Sequence, residues 1–190
     1  LQGIMPSLGM NSVLKTGKPM PTSSFYQALA INNINEQTEF YSAKNRRDLL
    51  QLSRDAKESA MIERLVTVHD HKLSYQLVNA AEQAKIALSD QDTQTIDLND
   101  ISPGLYTDVN KETLRVANKR TLASIAEIMH LAVQQAGCQP DVIFVTGGTA
   151  KSPVLSEFLQ QQMPNTPIVV GDHFGSVTSG LARWADKIYR

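Results

Sequence analysis

Asp141-Val142-Ile143-Phe144-Val145-Thr146-Gly147-Gly148-Thr149-Ala150-Lys151-Ser152-Pro153 is the stretch on which the fold turns. Val142 to Val145 is an apolar run of β-formers without a polar break. It reads as a strand covered on both faces, the kind that parallel sheets bury. The run ends in a glycine pair, and Ser152-Pro153 then starts a helix, serine as cap and proline in the first helical position. In open α/β sheets ligands sit beyond the carboxyl ends of the strands. A two-glycine loop there lets the backbone approach a ligand, since no Cβ intervenes. Amides leading into a helix offer donors to phosphate or ribose oxygens. Many α/β proteins use the same pair only for a tight turn, and on spacing alone that structural reading comes first.

Working outward, a long helix is expected over Val109–Gln135, with Leu114, Ile125, Ile128, Met129 and Ala132 on its buried face. Gly137 is placed to end it. Downstream, Pro164 and Pro167 bracket a turn into a short strand, Ile168–Val170, and a last helix covers about Ser176–Ile188. Upstream, Leu65, His69, Leu73, Leu77, Ala81, Ala84 and Leu88 recur every three or four residues. With no proline or glycine from Glu58 to Ser102, one helix is expected over Glu58–Leu88. Thr93–Leu98 ends in polar–apolar alternation, a half-buried strand, and Ser102-Pro103-Gly104 turns the chain. Asn45 is the expected cap of a helix through Leu49, Leu50 and Leu52. Residues 1–45 read as irregular, with a short helix around Ile4–Met10 whose first turn holds Pro6. Asn32-Asn33 marks a further turn. The reading is a mixed α/β chain: a helix-rich subdomain over 1–105, and an α/β subdomain with a small parallel sheet and the glycine loop over 106–190.

The 190 residues are 42% hydrophobic and 19% charged, a globular composition. A net charge of −1, from 18 basic and 19 acidic residues, supplies no field to draw in nucleic acid or an anionic membrane. The apolar runs are far too short to cross a bilayer. Cys138 is the one cysteine, which rules out an internal disulfide, argues against a zinc cluster and fits a reducing, cytoplasmic setting. Leu1 opens the sequence and no basic segment with an apolar core follows it. The expectation is an excised piece of a longer protein.

Three motifs carry a resemblance. The Asp141–Pro153 stretch resembles the adenosine motif of the actin/DnaK/sugar-kinase ATPase superfamily, where a buried strand leads into Gly-Gly-Ser/Thr-x-Arg-x-Pro and a helix. Ala81-Glu82-Gln83-Ala84-Lys85-Ile86-Ala87-Leu88-Ser89 is similar to the Glu-x-Ala-Lys-x-x-Leu-Ser of DnaK-type heat-shock chaperones, on the helix that reaches over the adenine. Gly175-Ser176-Val177-Thr178-Ser179-Gly180-Leu181-Ala182 more loosely resembles their C-terminal Ala-Val-Ala-x-Gly-Ala-Ala helix. Order and spacing agree over roughly Leu65 to Ala185, and the ending resembles YegD-type chaperones most. The resemblance implies an actin-like ATPase lobe that binds ATP or ADP. Gly147 and Gly148 would pack against the adenosine and α-phosphate, with the Thr149 hydroxyl near the adenine. Lys151 stands where the chaperones carry arginine. Glu82 and Lys85 would reach the ribose hydroxyls, and Ser89 the adenine edge.

Two departures stand out. Ile86 replaces an arginine that stacks on the adenine, removing a cation–π clamp. Phe174 falls where the family often has aspartate. The chain also has no Asp-x-Gly-x-Thr or Gly-Gly-Gly-Thr phosphate loop. Phosphoryl transfer depends on positioned phosphates, metal and cations. The chain alone is therefore expected to be inactive, with Mg²⁺ bound only in the full-length parent. The implied partners are an adenine nucleotide, a missing N-terminal ATPase lobe, and client or co-chaperone proteins. The alternative is a helix-rich interaction module that has lost its nucleotide.

The remaining residues read as bland. In His69-Asp70-His71 the two histidines point about 200° apart on a helix and cannot chelate together; a solvated helix surface is expected. Lys44, Arg46 and Arg47 read as a solvated helix start, Cys138 as a passive thiol, and Trp184 and Tyr189 as packing residues. His130 and His173 receive no role.

Overall fold

The computed structural model describes residues 2–171 and 175–189 and is a mixture of helices and small sheets. It comprises two compact units, Leu1–Ala117 and Asn118–Arg190, that part inside a helix downstream of the expected 105/106 boundary.

The first unit begins with a 3-10 turn, Met5–Leu8, with Pro6 in its first turn as expected. Gly9 closes it at φ 94°, and a Cβ there would lie 2.6 Å from Ile62 Cδ1. Residues 10–22 are irregular as expected, with turns and an isolated bridge between Val13 and Pro19, but two helices follow where more irregular chain was expected. α1 (Ser23–Leu29) buries Phe25 and Ala28, and α2 (Ile34–Phe40) buries Phe40. Asn33 caps α2, its Oδ1 accepting the Asn35 and Glu36 amides. These helices are too short for a strong periodic signal, and they are held by tertiary packing of one or two side chains each.

α3 (Ala43–Asp55) is capped by Ser42, whose Oγ accepts the Asn45 amide at 3.0 Å. Asn45, the expected cap, instead lies buried inside the helix. Its Nδ2 donates to the Phe40 carbonyl at 2.7 Å and its Oδ1 accepts the Ser24 hydroxyl at 3.0 Å. The single helix expected over Glu58–Leu88 is two: α4 (Ser59–Asp70) and α5 (Ser74–Ala87). The break is Lys72, at φ 57° in the left-handed region without being glycine. The amides of His71 and Leu73 close it onto the carbonyls of Thr67 and Val68. Strain of about 1–2 kcal/mol at Lys72 is offset because each helix then buries its own apolar face, Ile62, Leu65 and Val68 from α4, Leu77 and Ala84 from α5.

β1 (Thr93–Asp97) and β2 (Tyr106–Asn110) form an antiparallel hairpin with Gln94 opposite Val109 and Ile96 opposite Thr107. Ile96 and Val109 point into the core, and Leu98, Ile101 and Leu105 fill the connection. β2 takes residues that were assigned to the following helix. That helix, α6 (Lys111–Ala136), starts only after Asn110, whose Oδ1 accepts the Thr113 amide at 2.8 Å.

In the second unit α6 ends at Gly137, φ 67°, as expected. Its expected apolar face is covered only in part: Leu114, at the first unit's end of the helix, packs half-buried against that unit's core, Ile125 and Met129 are half-buried, Ile128 and Ala132 are exposed, and Leu122 is its one buried residue. β3 (Ile143–Val145) pairs in parallel with β4 (Ile168–Val170), Phe144 beside Val169. Strand identity and direction agree with expectation. The covering of both faces does not, since Phe144 is 61% exposed. Two three-residue strands present too little surface to be sandwiched, and one edge of the Phe144 ring rests on Gly171, where a Cβ would come within 2.2 Å of it. α7 (Pro153–Gln162) buries Val154 and Leu159, and α8 (Ser176–Tyr189) closes the chain.

Candidate nucleotide site

The loop after β3 has a defined geometry. Gly147 sits at φ 91°, ψ 168°, a region open essentially to glycine alone. A Cβ there would meet no atom within 4 Å, so the backbone angle demands the glycine and the space above it is open. Gly148–Lys151 then forms a 3-10 turn anchored by buried Ala150, whose amide donates to the Gly147 carbonyl at 3.0 Å. The Ser152 amide donates to the Thr149 carbonyl at 2.9 Å. Ser152 holds the cap position of α7 through its carbonyl, which accepts the Leu155 and Ser156 amides; its side chain makes no capping bond. Gly148, Thr149 and Lys151 are all exposed. This set is thus brought together on one solvent-facing turn.

Glu82, Lys85 and Ser89 lie in the first unit, on and just beyond α5. Ala84 and Leu88 anchor the buried side of this segment, which leaves Glu82 and Lys85 in solvent, 4.0 Å apart. Ser89 follows the helix end, half-buried, its amide donating to the Ile86 carbonyl at 3.0 Å. Ile86, on the same segment, is exposed. Phe174 and His173 lie outside the described residues.

A charged cluster that the sequence reading missed ties α3 to α4. His69 is buried, not part of a solvated surface, and packs edge-on against Phe40, ring centroids 5.6 Å apart. Its Nδ1 lies 2.9 Å from Asp70 Oδ1. Arg46 Nε and Nη2 donate to the two Asp70 oxygens, each at 2.8 Å. The Arg46 bonds hold the Asp70 carboxyl down to about 2 against partial desolvation, with His69 assisting. His69 belongs to the three-and-four spacing of the apolar stripe, and that spacing was the available signal for its burial. Arg46, read as solvated, is this ion pair's partner, and Lys44 lies 3.9 Å from Glu39. Among the described residues no group of three or more His, Cys, Asp or Glu side chains could hold a metal ion.

Cys138 is exposed on the rim of an apolar cleft of about 360 Å³ that Met129, Val133 and Met163 also line. Trp184 and Tyr189, expected to pack, are both exposed. Among the described residues no helix is long and apolar enough to cross a membrane.

Comparison with known proteins finds chaperone protein HscA of Cronobacter sakazakii (strain ATCC BAA-894), 30% identical over 117 residues. The match takes in 62% of this chain and 19% of HscA, so the chain spans about a fifth of that relative's length. No family model matches, and no solved structure matches. The likeness supports a link to the chaperone family.

Proposed function

We propose that this chain is the adenine-nucleotide-binding lobe of a DnaK-type chaperone ATPase, catalytically incomplete by itself. The observation that carries the reading is the likeness to HscA. The glycine turn after β3 supports it, with Gly147 in a glycine-only conformation under open space. In this reading the Gly147 and Gly148 backbone lies against the adenosine and α-phosphate. Thr149 offers its hydroxyl to the adenine, and Lys151 supplies a cation beside it. Glu82 and Lys85 face the ribose diol. Their 4.0 Å separation is a loose, exposed ion pair, and such pairs are worth at most about 1 kcal/mol. Both heads are therefore free to turn to hydroxyls. Ser89 takes the adenine edge. The two residue sets belong to different units, and their meeting across a cleft is part of the proposal. Phosphate loops, Mg²⁺ and the hinge motion that hydrolysis would drive belong to a longer, cytoplasmic protein with a second lobe.

Calorimetric titration with ADP, ATP and an unhydrolysable analogue tests this on the chain and on the longer protein. The chain should bind in the high micromolar range or more weakly and hydrolyse nothing. The longer protein should bind far more tightly. Heat from neither would sink the reading and leave the alternative, a helix-rich interaction module, which exposed Ile86 in place of a stacking arginine favours.

A further inference from the structure

We propose that α8 is a self-association element whose apolar stripe pairs antiparallel with α8 of a second copy of this chain. This inference does not rest on the nucleotide reading. Val177, Leu181, Trp184 and Ile188 follow one another at intervals of four, three and four, the a/d seam of a coiled coil. They are 72%, 65%, 59% and 54% exposed, and every described side chain from Val177 to Tyr189 is exposed. The helix has 14 residues, about 21 Å, enough for two seam layers on either side of a two-fold axis.

Area decides between a stray apolar face and an interface. Those exposed fractions leave roughly 450 Å² of apolar surface per helix, hence about 900 Å² across a pair. That area lies at the low end of specific interfaces, where weak and transient associations fall. An antiparallel register centred between Leu181 and Trp184 sets Val177 against Ile188 of the second copy and Leu181 against its Trp184. Gly180 and Ala185 flank the seam and let the backbones approach. The charges agree: Arg183 and Asp186 lie off the stripe, and Lys187 meets Gly180 of the other copy, so no like charges oppose one another. Lys187 Nζ already sits 5.7 Å from the Trp184 ring centroid, its stem covering the rim of the seam.

Trp184 is the only tryptophan in the chain, so it reports on its own burial. Sedimentation velocity over a concentration series, read together with tryptophan emission, tests the proposal. The expected result is a monomer–dimer equilibrium in the micromolar range, with emission shifting to the blue as dimer forms. Leu181→Glu, at a solvent-exposed position, should weaken association at least tenfold at unchanged far-ultraviolet circular dichroism. Ala185→Arg, on the flank, gives a second variant should the first unfold. A chain that stays monomeric at high concentration overturns the proposal. So does a dimer indifferent to both α8 variants, or one that Phe144→Ser on the β3–β4 sheet abolishes.

Discussion

The first unit holds Ile4, Phe25, Phe40, Leu49, Ile62, Leu65 and Leu77 at 1% exposure or less. In the second, the best-buried described apolar residues are Ala150 and Val154 at 3%, followed by Leu159. The second unit also presents Phe144, Val169, Val170 and the α8 stripe to water. The first unit therefore carries its own core. The second carries a well-formed loop on a thin support, with apolar surface left for contacts outside itself. Stability and candidate chemistry are unevenly divided: one unit supplies rigidity, the other the glycine turn.

The sharpest way to break that contrast is to hollow the stronger core. Phe40→Ala removes a fully buried ring that touches Tyr41 and His69, and should cost about 3–5 kcal/mol in urea unfolding. A loss below about 1 kcal/mol would mean the first unit is no better packed than the second.

Gly147→Ala probes the second unit's one demanding backbone position. Holding a side chain at φ 91°, ψ 168° costs about 1–3 kcal/mol. The weak support beneath the turn should let the loop rearrange rather than unfold the unit. The expected outcome is a modest fall in stability, with amide chemical-shift changes confined to about Thr146–Ser152. Changes spreading through α7 and β4 would show a stiffer unit than its burial implies.

The smallest effect is electrostatic and belongs to the first unit. Asp70 is held at about 2 in the folded chain against an ordinary 3.8, so its contribution is fully present above about pH 4. It is lost as pH falls through about 2. With the Asp70 side chain 31% exposed and Arg46 more so, screening reduces the contribution to about 1 kcal/mol. Asp70→Asn should lower stability at neutral pH by that amount and flatten the pH dependence between about 4 and 2. A wild-type acid limb that the variant reproduces would show the pair to be idle.

How legible each part was follows from where its signal lay. The strand–glycine–helix order around Gly147 could be read because its markers are adjacent in sequence: β-formers, a glycine pair, then Ser-Pro. So could the parallel partner Ile168–Val170, bracketed by prolines. The break at Lys72 could not, because no proline or glycine announces it; packing on both sides imposes a left-handed lysine. β2 was hidden because Val109 fits a helical stripe as well as a strand, and only its pairing with Gln94 decides. His69 looked solvated because its acidic neighbour is exposed, while its ring lies on the buried face. The site residues were legible as chemistry, but their grouping across two units is long-range information that motif spacing does not carry.

The two sheets also differ in how the chain must find them. β1 and β2 are neighbours in sequence, and such a hairpin closes in about 1–10 μs. β3 cannot pair until the glycine turn, α7 and the Pro167 turn have been traversed to reach Ile168, a crossover whose closure entropy comes before any strand contact. During synthesis the hairpin is complete long before β4 leaves the ribosome, at roughly 5–20 residues per second. Over that interval Ile143, Phe144 and Val145 wait without their parallel partners. The glycine turn, which follows β3 directly, is thus among the last features of this chain to acquire its final shape.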